Sequence, residues 1–143
     1  MKIQRSTRQG LYAALELAAA PPGELVTASA VAERHDLPAA VVAKVFQRLA
    51  QAGVAAGTRG ISGGYRLARP AAKVTVLELI EVFERVGPER TATRAHPVPG
   101  AERRLGELFV EIDGLVRATL ASVSLETLVS PRRALLSTAG SRD

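Results

Sequence analysis

The segment Arg59-Gly60-Ile61-Ser62-Gly63-Gly64-Tyr65-Arg66 is framed by two guanidinium groups around a glycine-rich tip. Upstream, Lys44, Gln47 and Arg48 fall at i, i+3 and i+4, the spacing of one helical face. None of these groups is a nucleophile or an acid–base pair. Together they suit recognition of a polyanion, by cations, amide donors and a backbone that glycine lets approach closely. Gly60 to Gly64 also resembles part of a phosphate-binding loop, but the Lys-Ser/Thr that should follow is replaced by Tyr65-Arg66, so a hairpin tip is the better reading.

Other chemistries are poorly supplied. The 143 residues contain no cysteine, which excludes disulfides, thiolate zinc sites, a cysteine nucleophile and cysteine-held iron–sulfur clusters. His35 and His96 are the two histidines; they stand far apart in the chain and read as a turn residue and a solvated loop residue, not as metal ligands. Glu78, Glu81 and Glu84 recur at i, i+3 and i+6, the solvated face of an amphipathic helix rather than a catalytic pair. No Ser-His-Asp arrangement is present to suggest an enzyme, and neither a metal nor a cofactor is expected. No apolar run approaches the roughly 18 residues of a membrane span. The start, MKIQRSTRQG, lacks the apolar stretch of a signal peptide, so a cytoplasmic location is expected.

Composition is that of a globular chain, 47% apolar and 23% charged, with only 3% aromatic residues, so the core must come mainly from Ala, Leu and Val. The net charge of +5 is uneven. Residues 1–73 carry ten Lys/Arg against four Asp/Glu, net +6, and residues 74–143 carry nine against ten, net −1. A basic front half suggests contact with a polyanion; a soluble basic protein without such a partner is the plainer alternative.

The elements that must position these groups follow from periodicity. A first helix is expected over Arg5 to Ala20, with Ser6 as N-cap, a stripe of Leu11, Ala14, Leu15 and Ala18, and a stop at Pro21-Pro22-Gly23. Leu25-Val26 reads as a very short strand or staple. Thr27 caps a short second helix to Arg34, with Ala28, Val31 and Ala32 inward. His35-Asp36 makes a tight turn, with Leu37 buried. A third helix runs from Pro38 to Ala52, with Val41, Val42, Val45, Phe46 and Leu49 inward and Gly53 ending it. Strands 54–59 and 65–68 form a hairpin across residues that accept positive φ, closed by Pro70. Thr75-Val76-Leu77-Glu78 is a capping box opening a fourth helix to Arg85, with Val76, Leu79, Ile80 and Phe83 on one face.

Gly87-Pro88 breaks this helix, and residues 87–100 read as a polar loop. A long helix over residues 101–121 has Leu105, Leu108, Ile112, Leu115 and Thr119 at spacings of 3 and 4, widened by Phe109, Val116 and Leu120. Residues 124–129 add a last turn, giving a helical segment 101–129 before a disordered tail, 130–143.

Helix, short helix, tight turn, helix and glycine-tipped hairpin, in that order, make residues 1–86 a winged helix–turn–helix. The fold class expected is mainly α with one small β-hairpin and a long C-terminal helix. The second helix of such a pair fits the DNA major groove, while a wing reaches phosphates or the minor groove, where an arginine finds strong negative potential. The candidate double-stranded DNA contacts are Arg5 and Arg8 on the first helix, Thr27 and Ser29 at the start of the second, Lys44, Gln47 and Arg48 on the third, and Arg59, Gly60, Gly63, Gly64 and Arg66 on the wing. Arg69 stands behind them.

The segments MKIQRSTRQGLYAALELAA, VAERHDLPAAVVAKVFQRLAQAGV, TRGISGGYRLARP and VTVLELIEVFE, with a weaker match at TLASVSLETLV, resemble the Rrf-two family of bacterial winged-helix transcription regulators. The RG-x-x-GGY-x-L wing is the most specific of these. The resemblance implies a homodimer on a partly palindromic operator, most often as a repressor. Arg59 would enter the minor groove, and Ala39, Ala40, Ala43 and Lys44 would meet the bases. The long helix would be the dimer seam, through Leu105, Leu108, Phe109, Ile112, Leu115, Val116 and Leu120.

Three departures from the family pattern stand out. Ala43 replaces an acidic residue that reads bases in many relatives. Gln9 stands where tyrosine is common. The loop over residues 87–104 lacks the three cysteines of cluster-binding relatives, so the resemblance points to the cofactor-free branch, which senses a protein partner, a small molecule or another signal. A site at the junction of the first, fourth and long helices is the expectation for that effector. The three alanines also leave open a protein-interaction module that has lost specific DNA binding.

Overall fold

The computed structural model describes residues 2–86 and 100–130. Residues 87–99 of the expected loop 87–100 and residues 131–143 of the expected tail 130–143 lie outside the described residues. Six helices and one hairpin follow in the expected order: α1 (Arg5–Ala19), α2 (Ala28–His35), α3 (Ala39–Gln51), β1 (Ala55–Thr58), β2 (Gly64–Leu67), a single 3₁₀ turn (Ala71–Lys73), α4 (Val76–Phe83), α5 (Ala101–Ala121) and α6 (Leu125–Val129).

Local signals set most of the boundaries. The Thr27 hydroxyl accepts from Ala30 N at 3.1 Å and opens α2. Asp36 ends it in the left-handed region, φ 52°, an uncommon place for a residue with a side chain and one that aspartate tolerates. Pro38 stands at the N-cap of α3 rather than at its first helical position as expected, so the helix starts one residue later at Ala39, and Gly53 follows its C-cap with φ +76°. Thr75 accepts from Glu78 N at 3.2 Å and opens α4. That helix ends at Phe83 rather than Arg85, because Glu84 turns to an extended conformation.

The expected seam of α1 is rotated. Thr7, Gly10, Ala13, Ala14 and Leu17 are its buried residues, while Leu11, Leu15 and Ala18 are half-buried at the edge of the core. The cause is close packing against α4. A Cβ on Gly10 would come within 2.1 Å of the Phe83 ring, so the small residues line the contact and the leucines flank it. Ser6 is not the cap either; Gln4 occupies that position, and its backbone N donates to the Glu84 carboxylate at 2.9 Å. The Thr7 hydroxyl, itself fully buried, donates to the same oxygen.

The core gathers Leu17, Val31, Val42, Phe46, Leu49, Val54, Val74, Leu79, Phe83 and Leu125. Val41 and Leu37 are half-buried at its margin rather than inside it. The strands pair antiparallel, Ala55 opposite Leu67 and Thr58 opposite Gly64. Val26 adds a bridge to Tyr65 through two hydrogen bonds of 2.8 Å, so Leu25-Val26 behaves as a one-residue third strand. Leu125 returns to the N-terminal core, with Val76 N on Val123 O and Leu125 N on Val74 O, both at 2.9 Å. The chain after α5 thereby packs with residues 1–86. By contrast, α5 buries no residue of its own within the single chain.

Candidate nucleic-acid interface

Helix α3 divides cleanly between two faces. Val42, Val45, Phe46 and Leu49 enter the core, whereas Ala39, Ala40, Lys44, Gln47 and Gln51 are exposed and Ala43 is half-buried. The helix is held to the hairpin by an aromatic stack, Phe46 on Tyr65, with centroids 4.7 Å apart and planes within 8°. An offset stack of this kind, together with the Val26 bridge on the other side of Tyr65, fixes the wing relative to α3.

Between the two elements runs an open groove of about 330 Å³, lined by Gln47, Ala50, Gln51, Gly57, Thr58, Arg59, Gly64 and Tyr65. It brings together three residues singled out in the sequence, Gln47, Arg59 and Gly64. It adds Gln51 and Thr58, which the sequence reading passed over. Gln51 follows Gln47 at i+4 on the exposed face of α3, and that spacing could have found it.

The hairpin tip owes its shape to two different uses of glycine. Gly60 takes φ +113°, which L side chains rarely adopt. Gly63 instead makes room, since a Cβ there would meet Thr58 O at 2.2 Å and Gly60 O at 2.8 Å. Gly64 is similarly confined, since a Cβ there would meet Val26 O at 2.9 Å. Positive φ is therefore needed once in the tip, and close backbone approach accounts for the other two glycines. Arg59 and Ile61 are exposed at this tip.

Not every basic residue singled out in the sequence projects freely. Arg48 lays its guanidinium over the Phe83 ring, 4.7 Å from the centroid, and donates to Val82 O at 2.7 Å. Arg69 is a structural tie: it pairs with Glu78 and donates to Gly53 O and Lys73 O. The Arg66 guanidinium donates to the neighbouring Leu67 O at 3.2 Å. Arg5, Arg8, Ser29 and Lys44 are exposed, and exposed Thr27 keeps its cap.

The three glutamates of α4 and its end are likewise not a bare solvated face. Glu78 holds Arg69, Glu81 holds Arg117 of α5 at 2.8 Å, and Glu84 receives the start of α1. Arg117 also donates to Val86 O at 2.7 Å. His35 sits within 3.0 Å of Glu16 and stacks on Tyr12, with centroids 5.2 Å apart, joining the end of α2 to α1. His96 lies outside the described residues.

A helix–turn–helix braced by α1, with an outward α3 and a glycine-tipped wing beside it, defines a winged-helix DNA-binding regulator. The chain belongs to the Rrf2 family: the family model described as "Iron-dependent Transcriptional regulator" matches residues 3–131. It is 37% identical over 131 residues to a protein named as the HTH-type transcriptional regulator BadM of Rhodopseudomonas palustris, a match covering 90% of this chain and 81% of that protein. It is 36% identical over 86 residues to the HTH-type transcriptional regulator IscR of Cereibacter sphaeroides, covering 59% of this chain and 56% of that one. Among solved structures it is similar to CymR, the global cysteine regulator of B. subtilis, with a TM-score of 0.74 and 28% identity, covering 91% of this chain and 97% of that one. No helix among the described residues is long and apolar enough to cross a membrane.

Proposed function

We propose that the chain is a homodimeric repressor that binds a partly palindromic operator in the cytoplasm and takes its signal without an iron–sulfur cluster. The observation that carries this reading is the groove in which Gln47 of α3 and Arg59 of the wing line one surface, beside the exposed Ala39, Ala40 and Lys44. Helix α3 would lie in the major groove and Arg59 would reach the adjacent minor groove.

The dimer is supported by α5. Leu105, Leu108, Phe109, Ile112 and Leu115 are exposed on it and Val116 and Leu120 half-buried, a contiguous apolar stripe that a monomer rarely leaves in water. A second copy crossing this helix would cover the stripe and set two copies of α3 for half-sites about 34 Å apart, or a multiple of that.

The absence of cysteine removes the ligands of a cluster. An effector of another kind, a small molecule or a partner protein, would act at the junction of α1, α4 and α5 and bias the spacing of the two recognition helices. Helix α4 and the residues just after it suit that role, being joined to α1 by Glu84, to α3 by Arg48 and to α5 by Arg117.

Gel-shift and footprinting series on the chain's own promoter region test the reading. Specific binding that falls steeply with salt supports it, with a log–log slope of about −0.9 per phosphate neutralised. Equal affinity for promoter and random duplex would favour the alternative of a protein-interaction module, which Ala39, Ala40 and Ala43 motivate by offering no side-chain hydrogen bonds to base edges.

A further inference from the structure

Ile61 makes no use of its own fold. Its exposure is 108% of the reference value, the highest among the exposed large apolar residues, at the far end of the wing. Turn positions ordinarily favour Gly, Asn, Asp or Ser, and a β-branched residue there gains nothing for the hairpin. Its place is nevertheless fixed. The tip closes through Gly63 N on Gly60 O at 3.0 Å, which puts Ile61 and Ser62 in the two central positions of a turn. Gly60 at φ +113° and Gly63, with no room for a Cβ, lock that turn from both sides. Arg59 stands two residues earlier, and Arg59 lines the groove shared with α3.

We propose that Ile61 is a DNA contact of its own kind, an apolar side chain that packs against the deoxyribose walls of the minor groove entered by Arg59. The inference rests on the operator-binding reading above. An isoleucine cannot read base edges, since it has neither donor nor acceptor. It can exclude water along the sugars that line a groove, and minor-groove binders do combine apolar side chains with Arg or Lys, there as wedges between base steps. The two residues divide the work: Arg59 supplies charge, which is salt-dependent, and Ile61 supplies desolvated contact, which is not.

The test compares Ile61→Ser, Ile61→Leu and Arg59→Ala in the full chain, on a promoter duplex bound by the wild type, across a range of salt. Ile61→Ser is expected to weaken specific binding by about tenfold, the loss carried by uncovering roughly half of an isoleucine side chain. Its salt slope should stay that of the wild type, its melting temperature should not move, and Ile61→Leu should restore most of the affinity. Hydroxyl-radical footprinting should show the minor-groove sugars under the wing protected by the wild type and cleaved with Ile61→Ser. Unchanged affinity and footprint with Ile61→Ser, on a duplex the wild type binds, would overturn the role of Ile61 alone. Failure of the wild type to distinguish its promoter from random duplex would overturn the operator reading and this contact with it.

Discussion

The guanidinium of Arg48 lies over the ring of Phe83, 4.7 Å from its centroid, so a cation on α3 is committed to the aromatic residue that ends α4. The same ring presses on Gly10 of α1 from its other contacts. Phe83 is thus where α1, α3 and α4 meet, and its neighbours make clear predictions.

Replacing Arg48 by Ala removes the cation–π contact and the hydrogen bond to Val82 O. A loss of about 0.5–1 kcal/mol is expected from the exposed cation–π contact. Urea denaturation should show a lower midpoint at unchanged slope. Arg48→Lys should keep the charge but lose the planar guanidinium that sits over the ring, and recover only part of the stability.

Gly10→Ala places a methyl group inside the contact distance of the Phe83 ring. Overpacking of this kind costs about 1–3 kcal/mol even though alanine is the better helix former. Thermal melting should fall for Gly10→Ala, and Phe83→Leu in the same chain should recover part of the loss by freeing the space. A melting temperature that rises with Gly10→Ala would contradict the close α1–α4 approach.

Glu84→Ala leaves the fully buried Thr7 hydroxyl and the Gln4 amide without their acceptor. Stranding a buried polar group costs about 1–3 kcal/mol. The double change with Thr7→Val should be less damaging than the sum of the single changes, because the hydroxyl that needs the carboxylate is gone.

Arg59→Ala should weaken operator binding by about 1–3 kcal/mol and reduce the salt slope by about one phosphate. Lys44→Ala should weaken binding with a similar loss of slope. Both variants should keep the wild-type melting temperature, since each side chain is exposed.

Leu108→Glu or Ile112→Glu puts a charge into the exposed stripe of α5, whose residues carry none of the single-chain core. Sedimentation velocity should show the assembly shifting toward monomer, while far-ultraviolet circular dichroism keeps its helical signal. Operator affinity should fall with the loss of the paired half-site contacts. A dimer that survives both changes would rule out this seam.

Most of the fold was legible because its signals are local. Thr27 and Thr75 each cap the helix that follows them, Gly53 ends α3, and the glycines between β1 and β2 mark the hairpin. The α3 face bearing Lys44 and Gln47 followed from spacing alone. The α1 seam was legible only in part: Ala14 is buried as its spacing suggests, but hydrophobicity favours Leu11 and Leu15 whereas the Phe83 ring requires Gly10. The tertiary partners of Arg48, Arg69 and Glu84 were not legible either. Their partners lie 34, 9 and about 80 residues away, and periodicity within one helix cannot report a partner on another. Thr58 joins the groove only once the hairpin is seated against α3, whereas Gln51, four residues after Gln47, lay within reach of spacing.

The stack of Phe46 on Tyr65 has a bearing on how such a protein can change over generations. The stack that attaches wing to helix is made by Phe46 and Tyr65, and the outward positions Ala40, Lys44, Gln47 and Gln51 take no part in it. If the chain reads DNA as proposed, substitutions at those four sites would alter which sequence is read without loosening the scaffold that presents them. Inheritance of the framework and divergence of the target are thereby separated, and a lineage can acquire new promoters while the architecture stays as it is.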